Sequence, residues 1–526
     1  MPSAVSTVIR SGVLVVAATG VALSLTGCHK VDMAKSAVES GHPPRTTSGQ
    51  ALPAALSGQK VAWRPCAAPT AAQGGGSAPG RRWECATVKA PLDYAAPQGE
   101  TLNLALIRNK AEQRGGSAAL LFNTGAPGTS GVAALPRLAS EYSRLHARYD
   151  LVGFDARGVG ESSGVRCLSD ADLDDQAAID AVDGPGPDAG GNKQFAAACR
   201  ARSGKLLAHM DTESAARDLD LIRQVLGQKK LTYFGTSYGS KVGGVYAHLF
   251  PKNVGRMVLD AAPDPGQDAL QASVSRAEGF QLALEHFMQD CASTRGVRCP
   301  TGTGVAEGNR KVMELLRKLD GKPLPAQHGR TLSRYRATEG MAAALYDKAT
   351  WKQLAAGLDE AMHHGRGAVL SSLADGRGDR DERGRYSNAG AARRAITCAD
   401  DKRRYNATDV RRALPRLRQA SPAFGEPLAW SLSQCGNWPV PGKAVTTDVD
   451  AKGAAPIVVL GNTGDPDTPA SGAAAMARRL GDKVGVHLTV RGEGHGAYHT
   501  GNACITGAVD SYLIQGTRPR DGLTCT

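Results

Sequence analysis

Leu231-Thr232-Tyr233-Phe234-Gly235-Thr236-Ser237-Tyr238-Gly239 is the stretch that decides the fold. Its first four residues are apolar, β-branched or aromatic, which predicts a short buried strand. From Val242 to Phe250 apolar residues recur at helical spacing, which predicts a helix. The two glycines allow a tight turn between strand and helix, and such a turn exposes the Ser237 hydroxyl. The motif is a weak signal by itself, so partners elsewhere in the chain decide its meaning.

Two later loops supply partners for Ser237. A strand predicted at Pro456–Leu460 runs into a loop that carries Asp465 and Asp467. A carboxylate just past a strand end can accept the Nδ1 proton of a histidine and fix its tautomer; we assign this role to Asp465, with Asp467 as the near rival. A last strand leads to His495, which lies between glycines in a loop that fits a general base. The order serine, aspartate, histidine is that of α/β-hydrolases.

Strand and helix patterns alternate along much of the chain, which is typical of a largely parallel sheet. Further predicted elements are strands at Leu102–Leu106, Ala118–Phe122, Asp150–Phe154, Met257–Asp260 and Val486–Val490, and helices at Leu135–His146, Asp211–Leu226 and Ala470–Leu480. Between about 266 and 450 the periodicity is mostly helical, and the sheet then resumes. We therefore predict an α/β-hydrolase fold with a mostly parallel central sheet and a helical cap inserted between strands. A separate C-terminal domain is the alternative, and the resumed strand argues against it.

The loop after the Ala118–Phe122 strand, residues 123–131, is rich in glycine and proline. A loop of this kind can present backbone N–H groups to a developing oxyanion. We expect the oxyanion hole to use the N–H of Tyr238 and that of Gly125 or Ala126. A merely flexible turn is the alternative.

The N-terminal residues 1–28 have the pattern of an export signal, with a short apolar region ending in small residues. Leu25-Thr26-Gly27-Cys28 resembles a bacterial lipobox, in which the cysteine is lipidated and becomes the first mature residue. An ordinary secretory peptide with an incidental Cys28 is the alternative. We expect residues 29–60 to form a flexible tether, and the lipid at Cys28 to hold the protein on the outer face of the cell membrane. The predicted division of the rest is 61–265 and 451–526 for the hydrolase core and 266–450 for the cap.

Ten cysteines remain besides Cys28, and an even number in an exported chain argues for disulfides. Pairing in sequence order would need only local loops, but the sequence leaves the connectivity open. No cysteine or histidine group has zinc spacing, so we expect no metal and no other cofactor. The net charge of +13 is spread over arginine-rich patches without interleaved aromatic residues, which makes nucleic acid a poor partner. The oligomeric state stays open.

Several motifs together resemble the secreted actinobacterial tripeptidyl aminopeptidases, from about Trp83 to Cys525. They are Cys85-Ala-Thr-Val-Lys-Ala-Pro-Leu-Asp-Tyr94, the 123–131 loop, Val152-Gly-Phe-Asp-Ala-Arg-Gly-Val-Gly160, Gly235-Thr-Ser-Tyr-Gly239, Ala395-Ile-Thr-Cys-Ala-Asp400, Asp465-Pro-Asp-Thr-Pro469 and Gly494-His-Gly496. The resemblance implies Ser237 as nucleophile, Asp465 as orienting acid and His495 as base, acting on peptides with free N-termini. The 123–131 loop departs from the family, because Thr124, Ala126 and Thr129 replace a proline and two glycines. A positive φ at position 126 would strain Ala126.

Three functions compete at this point. The first is the exopeptidase, and the second is an esterase or lipase on the same fold, since the triad does not select amide over ester. The third is a non-catalytic binding lipoprotein, which would predict a lost triad residue. An aminopeptidase needs a carboxylate for the amine of the substrate, and Asp264 and Asp400 are the candidates. Either one is also plausible as an ordinary surface or capping residue.

Overall fold

A ten-stranded sheet forms the centre of the protein, with strand order β1-β2-β3-β5-β4-β6-β7-β10-β11-β12. The computed structural model describes residues 51–113, 118–175, 190–294, 299–377, 379–381, 383–444 and 446–526. The sheet strands are β1 (Arg64–Pro65), β2 (Trp83–Pro91), β3 (Thr101–Asn109), β4 (Ala118–Asn123), β5 (Tyr149–Phe154), β6 (Leu231–Thr236), β7 (Val254–Asp260), β10 (Ile457–Gly464), β11 (Gly485–Glu493) and β12 (Leu523–Cys525). A separate hairpin pairs β8 (Leu324–Pro325) with β9 (Thr331–Leu332).

From β5 through β12 every neighbouring pair of strands in the sheet is parallel, whereas β1, β2, β3 and β5 pair antiparallel. The buried run Ile457–Asn462 in β10 has no alternation, as expected for a strand covered on both faces. Because parallel strands end at the same edge of a sheet, the loops that leave β4, β6, β7, β10 and β11 converge there. The α/β fold with a mostly parallel sheet is confirmed.

Helices cover both faces of the sheet and fill the interval between β7 and β10. Those of the described residues are α1 (Ala54–Ser57), α2 (Gly131–Leu138), α3 (Ser143–His146), α4 (Gly190–Leu207), α5 (Thr212–Val225), α6 (Tyr238–Leu249), α7 (Ala269–Ser293), α8 (Val305–Gly321), α9 (Arg334–Leu345), α10 (Trp351–His363), α11 (Ala368–Arg377), α12 (Ala389–Asp400), α13 (Ala407–Ala420), α14 (Gly425–Ser431), α15 (Ala470–Leu480) and α16 (Ala503–Gln515). No helix in these ranges is long and apolar enough to span a membrane.

The single helix predicted at Leu135–His146 is wrong, because the chain forms two short helices there, α2 and α3. Residues between them form turns, in which the Tyr142 N–H donates to the Ala139 carbonyl at 3.2 Å. The break lets the Tyr142 ring enter the core, where it contacts the rings of Phe122 and Phe234. Burial of a large aromatic side chain therefore outweighs the helical periodicity of the segment.

The flexible tether predicted for residues 29–60 is too long at its C-terminal end. Helix α1 begins at Ala54, and Leu56 is buried. The Gln59 amide pairs with the backbone of Lys89 in β2, through one bond in each direction, both of 2.7 Å. Folded structure therefore begins before residue 61. The predicted export signal and Cys28 lie outside the described residues.

Helices α7 to α14 lie between β7 and β10 in the chain, and we call residues 266–450 the helical segment. Much of this segment has an apolar core of its own, which includes Phe280, Leu316, Met341 and Leu358. The domain boundaries given above stay a prediction.

Five disulfides join the ten cysteines of the described residues in sequence order. The pairs are Cys66–Cys85, Cys167–Cys199, Cys291–Cys299, Cys398–Cys435 and Cys504–Cys525. The prediction of disulfides is thus confirmed, with the pairing that the sequence had left open. Each bridge closes a local loop and so restricts the unfolded chain.

A buried ion pair ties the loop after β5 to α5. The Arg157 guanidinium donates two hydrogen bonds to the Asp218 carboxylate, at 2.8 and 2.7 Å, and both side chains are only 1% exposed. A third donor of Arg157 reaches the carbonyls of Leu92 and His209, and the Tyr94 hydroxyl donates to Asp218. Each buried charge therefore depends on the other, since no water is available to replace a lost partner.

Replacing Asp218 with alanine should lower the free energy of unfolding by about 3–5 kcal/mol, because it leaves the Arg157 charge buried without its partner. Glu213→Ala on the same helix is the matched control, since its pair with Arg217 is only partly buried and should be worth about 1 kcal/mol or less. Denaturant titration of both variants measures the difference. Equal losses in the two variants would contradict this account of Arg157.

Candidate active site

The turn between β6 and α6 holds Ser237 in a strained backbone conformation. Its φ is 58° and its ψ is −116°, a region that residues with a side chain rarely adopt. Close backbone packing imposes the turn: a Cβ at Gly239 would lie 1.9 Å from the Asn123 carbonyl oxygen, and one at Gly235 would lie 2.4 Å from the Gly239 oxygen. A residue with a side chain therefore has no room at position 235 or position 239. The result is the sharp strand-to-helix turn that presents a nucleophilic serine.

The Asp465 carboxylate, just past β10, lies against the ring of His495. The Nδ1 atom of His495 is 2.9 and 3.0 Å from the two Asp465 oxygens. The same carboxylate accepts hydrogen bonds from the backbone N–H groups of Asp467, Thr468 and Gly496 and from the Thr468 hydroxyl. An ionised carboxylate only accepts hydrogen bonds, so in the neutral imidazole Nδ1 carries the proton and Nε2 is left as the acceptor. This is the tautomer that a histidine general base needs.

Two further residues fix the His495 loop. The side-chain amide of Asn462 donates to the carbonyls of Gly494 and Gly496, at 2.8 and 3.1 Å. From the helical segment, the Tyr346 carbonyl accepts the His495 N–H at 2.7 Å, and the Tyr346 ring lies edge-on to the imidazole, with centroids 5.1 Å apart. The base is thus held from the sheet on one side and from the helical segment on the other.

Negative charge around His495 stabilises its protonated form. Burial lowers the pKa of His495, but attraction to Asp465, the hydrogen bond between them and the charges of Asp467 and Asp260 raise it, with a net rise to about 9. The imidazolium that forms when His495 takes a proton is therefore favoured by its surroundings. Below that pKa the ring is protonated and unable to act as a base.

Asp467, the rival of Asp465 in the sequence, has a different partner. Its carboxylate accepts a hydrogen bond from Nε of Arg276 in α7, and only 7% of its side chain is exposed. Burial raises the pKa of Asp467, but the positive charges of Arg276 and His495 outweigh burial and lower the pKa below its usual range. The structure brings Asp465, and not Asp467, into hydrogen-bond distance of the imidazole.

The 123–131 loop leaves β4 beside the elbow. The positive φ values of this loop fall on Gly125 and Gly128, at 92° and 91°, and Ala126 has no positive φ. The strain considered for Ala126 therefore does not arise. Gly128 packs against the helical segment, because a Cβ there would lie 2.3 Å from the Ala389 carbonyl oxygen. Tyr238 is the first residue of α6, so its N–H has no acceptor within the helix and can face a ligand.

Contacts with Asp155, which follows β5, fix the end of this loop. Its carboxylate accepts hydrogen bonds from the Ser130 hydroxyl at 2.6 Å and from the Val132 N–H at 3.1 Å. Gln73 donates to the other oxygen of Asp155 at 2.9 Å. Ser130 in turn caps α2. Residues 67–80, which are rich in alanine and glycine, therefore support the loop through Gln73.

The two carboxylates considered for the substrate amine both have partners within the chain. Asp400 accepts from the Thr212 N–H and hydroxyl and forms an ion pair with Lys241 at 2.7 Å. Asp264 accepts from the Gly266 N–H and lies 3.8 Å from the Arg479 guanidinium. A nearby cation opposes the binding of an ammonium group. These contacts do not support the expected role of either residue.

Sequence reasoning missed the residues that support the site. Asn462 and Asp260 are polar residues within or at the end of strands that were otherwise recognised, and that position was the available signal. Thr468 lies in a motif already quoted, and its hydroxyl contacts Asp465. Tyr346 had no signal, because its contact with His495 depends on how the helical segment folds back. None of the described residues forms a cluster that could hold a metal ion.

The fold and the site define an α/β-hydrolase. A family model described as TAP-like protein matches residues 421–525. The chain is 38% identical over 488 residues to serine protease Hip1 of Mycobacterium tuberculosis, and this alignment covers 89% of this chain and 91% of the relative. It is 35% identical over 459 residues to a carboxylesterase B of the same species, and the alignment covers 85% of this chain and 86% of the relative. It is 31% identical over 458 residues to the tripeptidyl aminopeptidase of Streptomyces coelicolor, and the alignment covers 84% of this chain and 83% of the relative.

The chain belongs to the family of TAP-like α/β-hydrolases that includes these relatives. The resemblance inferred from the motifs is thus confirmed over nearly the whole described chain.

Reaction of Ser237 with a fluorophosphonate probe should distinguish the two aspartates without knowledge of the substrate. Asp465→Asn should slow labelling by about 10⁴, because the amide favours the wrong tautomer of His495. Asp467→Asn should slow it far less, since Asp467 contacts Arg276 and not the imidazole. Labelling rates measured by intact mass compare the two variants. A silent Asp465→Asn beside a damaging Asp467→Asn would reverse the assignment.

Proposed function

We propose that this protein is an exported serine exopeptidase that releases short peptides from the free N-termini of peptide substrates. Ser237 is the nucleophile, His495 the general base and Asp465 the acid that orients it. The observation that carries the proposal is the hydrogen bond between Asp465 and Nδ1 of His495, at the sheet edge where Ser237 occupies its strained turn.

In the proposed reaction, Nε2 of His495 takes the Ser237 proton as the hydroxyl attacks the peptide carbonyl. The imidazolium then gives that proton to the leaving amine, and the acyl group stays on Ser237. Water repeats the cycle and releases the N-terminal peptide. Asp465 stabilises the imidazolium in both halves of the cycle. The proposed oxyanion hole uses the N–H of Tyr238 with that of Gly125 or Ala126, groups whose dipoles are fixed before the charge develops.

The position of the helical segment supports exopeptidase action. Tyr346 of this segment contacts the His495 loop, and Ala389 contacts the 123–131 loop at Gly128. The segment therefore contacts two loops of the site, which supports a site that accepts only a short length of chain beside Ser237. The relative named tripeptidyl aminopeptidase fits this arrangement.

An esterase is the second candidate function, and the relative named carboxylesterase B favours it. The same triad cleaves esters and amides, so the fold does not decide between them. A binding lipoprotein without activity is less well supported, because the serine, histidine and aspartate are all present and the last two are paired.

A matched set of substrates tests the proposal: a tripeptide amide with a free N-terminus, its N-acetylated form, and short-chain esters. We expect turnover of the free peptide and a kcat/KM lower by roughly two to three orders of magnitude after acetylation, because acetylation removes the charged amine that the proposed exopeptidase recognises. Ser237→Ala gives the background rate. Equal turnover of free and acetylated peptides, or turnover of esters alone, would favour the esterase. If no substrate is turned over in a Ser237-dependent manner, both enzyme hypotheses fail and the binding lipoprotein is the hypothesis that remains.

We also propose that lipidation of Cys28 anchors the protein to the outer face of the cell membrane, since Leu25-Thr26-Gly27-Cys28 resembles a lipobox. The wild-type protein should fractionate with membranes, and Cys28→Ser should block processing or release the protein. Mass spectrometry of the mature N-terminus identifies the modification. Unmodified mature protein in the medium, with Cys28 intact, would contradict the anchor.

A further inference from the structure

Asp260 is a fully buried carboxylate at the end of β7 that the proposed mechanism does not use. Strand β7 lies between β6, which leads to Ser237, and β10, which leads to Asp465. Asp260 is therefore placed at the carboxyl edge of the sheet, between the strands that carry the nucleophile and the acid.

The backbone and the side chain of Asp260 bind opposite halves of the site. Its carbonyl accepts the Ser237 N–H at 2.9 Å. Its carboxylate accepts the N–H groups of Ala497 and Tyr498, at 2.8 and 3.0 Å, in the loop that follows His495. Its Oδ1 also accepts the Ala261 N–H at 2.8 Å, next to a backbone with a positive φ at Ala261. One residue of a central strand thus contacts both the elbow and the His495 loop.

We propose that Asp260 is a positioning residue, which sets the place of His495 relative to Ser237 and adds a third negative charge, beside those of Asp465 and Asp467, near the imidazole. The inference rests on the triad proposed above. The contacts through the Ala497 and Tyr498 amides fix the loop within two and three residues of His495. A misplacement of about 1 Å in such a site can cost 10²-fold in rate.

Several charged or titratable groups lie near His495 and Asp260. The charges of Asp465, Asp467 and Asp260 raise the pKa of His495, whose ring also contacts the ring of Tyr346. The charges of His499 and His495 lower the pKa of Asp260. Burial and the charge of Asp260 raise the pKa of the Tyr142 hydroxyl. Burial raises the pKa of Asp260, and the Tyr498 and Ala497 N–H groups oppose that rise. A negative charge on Asp260 favours the protonated form of His495, so its loss should lower the pKa of His495.

Asparagine keeps the size of Asp260 but not its hydrogen-bonding pattern. The carboxylate uses both oxygens as acceptors, whereas an amide has one oxygen and a donating NH₂ group. In Asp260→Asn one N–H of the His495 loop would therefore face another donor. The variant removes both the charge and part of the link to the loop.

The experiment compares wild type with Asp260→Asn and Asp260→Ser, using a substrate that the wild-type protein turns over in a Ser237-dependent manner. Asp510→Asn is the matched control, because Asp510 is also buried and accepts the Tyr498 hydroxyl, but makes no contact with the Ala497 or Tyr498 N–H groups in the described structure. We measure kcat, KM, the pH profile of kcat/KM and thermal unfolding for all four proteins.

Both Asp260 variants should lower kcat by about 10–100-fold with little change in KM, since the misplaced group is the base and not a binding group. The acid limb of their kcat/KM profile should move to lower pH by roughly 0.5–1 unit, because the charge that raised the pKa of His495 is gone. Asp510→Asn should keep the wild-type kcat and acid limb.

Wild-type kcat and an unmoved acid limb in folded Asp260→Asn would overturn the inference and leave the triad standing. Failure of both Asp260 variants to fold would also overturn it, since Asp260 would then serve stability alone. Absence of Ser237-dependent turnover in the wild type would overturn the triad and, with it, this inference.

Discussion

The close crossing of α6 over the end of β4 is the constraint on which the site depends. A Cβ at Gly239 has no room beside the Asn123 carbonyl, so helix and strand can approach only through glycine. This approach forces the chain to reverse at Ser237, which adopts a positive φ that its side chain disfavours. Packing of the surrounding buried sheet offsets the strain in the Ser237 backbone. The serine is thereby held where a substrate carbonyl can reach it.

Order in the rest of the site comes from polar groups that are buried at the same edge of the sheet. Asp465 accepts hydrogen bonds from five groups, the imidazole among them, and Asn462 donates to the carbonyls of Gly494 and Gly496 on either side of His495. Breaking a hydrogen bond between buried groups leaves a polar atom without a partner, so these contacts resist small displacements of the loops. The base is therefore positioned by hydrogen bonds from Asn462 in β10 and from Asp465 directly after it, so its place is tied to the rigid sheet.

The fold was predictable because its signals are local. The apolar run before Gly235 and the helical spacing after Gly239 identify the elbow, and the runs at Met257–Asp260 and Ile457–Leu460 identify sheet strands. The order of Ser237, Asp465 and His495 in the chain then indicates the class. The break between α2 and α3 was not predictable, since it depends on the burial of Tyr142 among aromatic rings from distant strands.

The supporting residues of the site were hidden for a similar reason. The partner of Asp400 is Lys241, and that of Asp467 is Arg276, and both pairs join segments more than 150 residues apart. Disulfide connectivity was open in the sequence, although the observed pairs, such as Cys398–Cys435, are all neighbours in order. Long-range pairing of charges decides which carboxylates remain available to a substrate, and no local pattern reports it.

Trapping of the acyl-enzyme tests the central claim most directly, namely that Ser237, His495 and Asp465 act together in acyl transfer. A peptide substrate is mixed with the protein, the reaction is quenched with acid within the first turnover, and the digest is mapped by mass spectrometry. The account predicts an adduct with the mass of the N-terminal peptide on Ser237, which is absent in Ser237→Ala. Turnover without an adduct at Ser237, or with the acyl group on another residue, would contradict it.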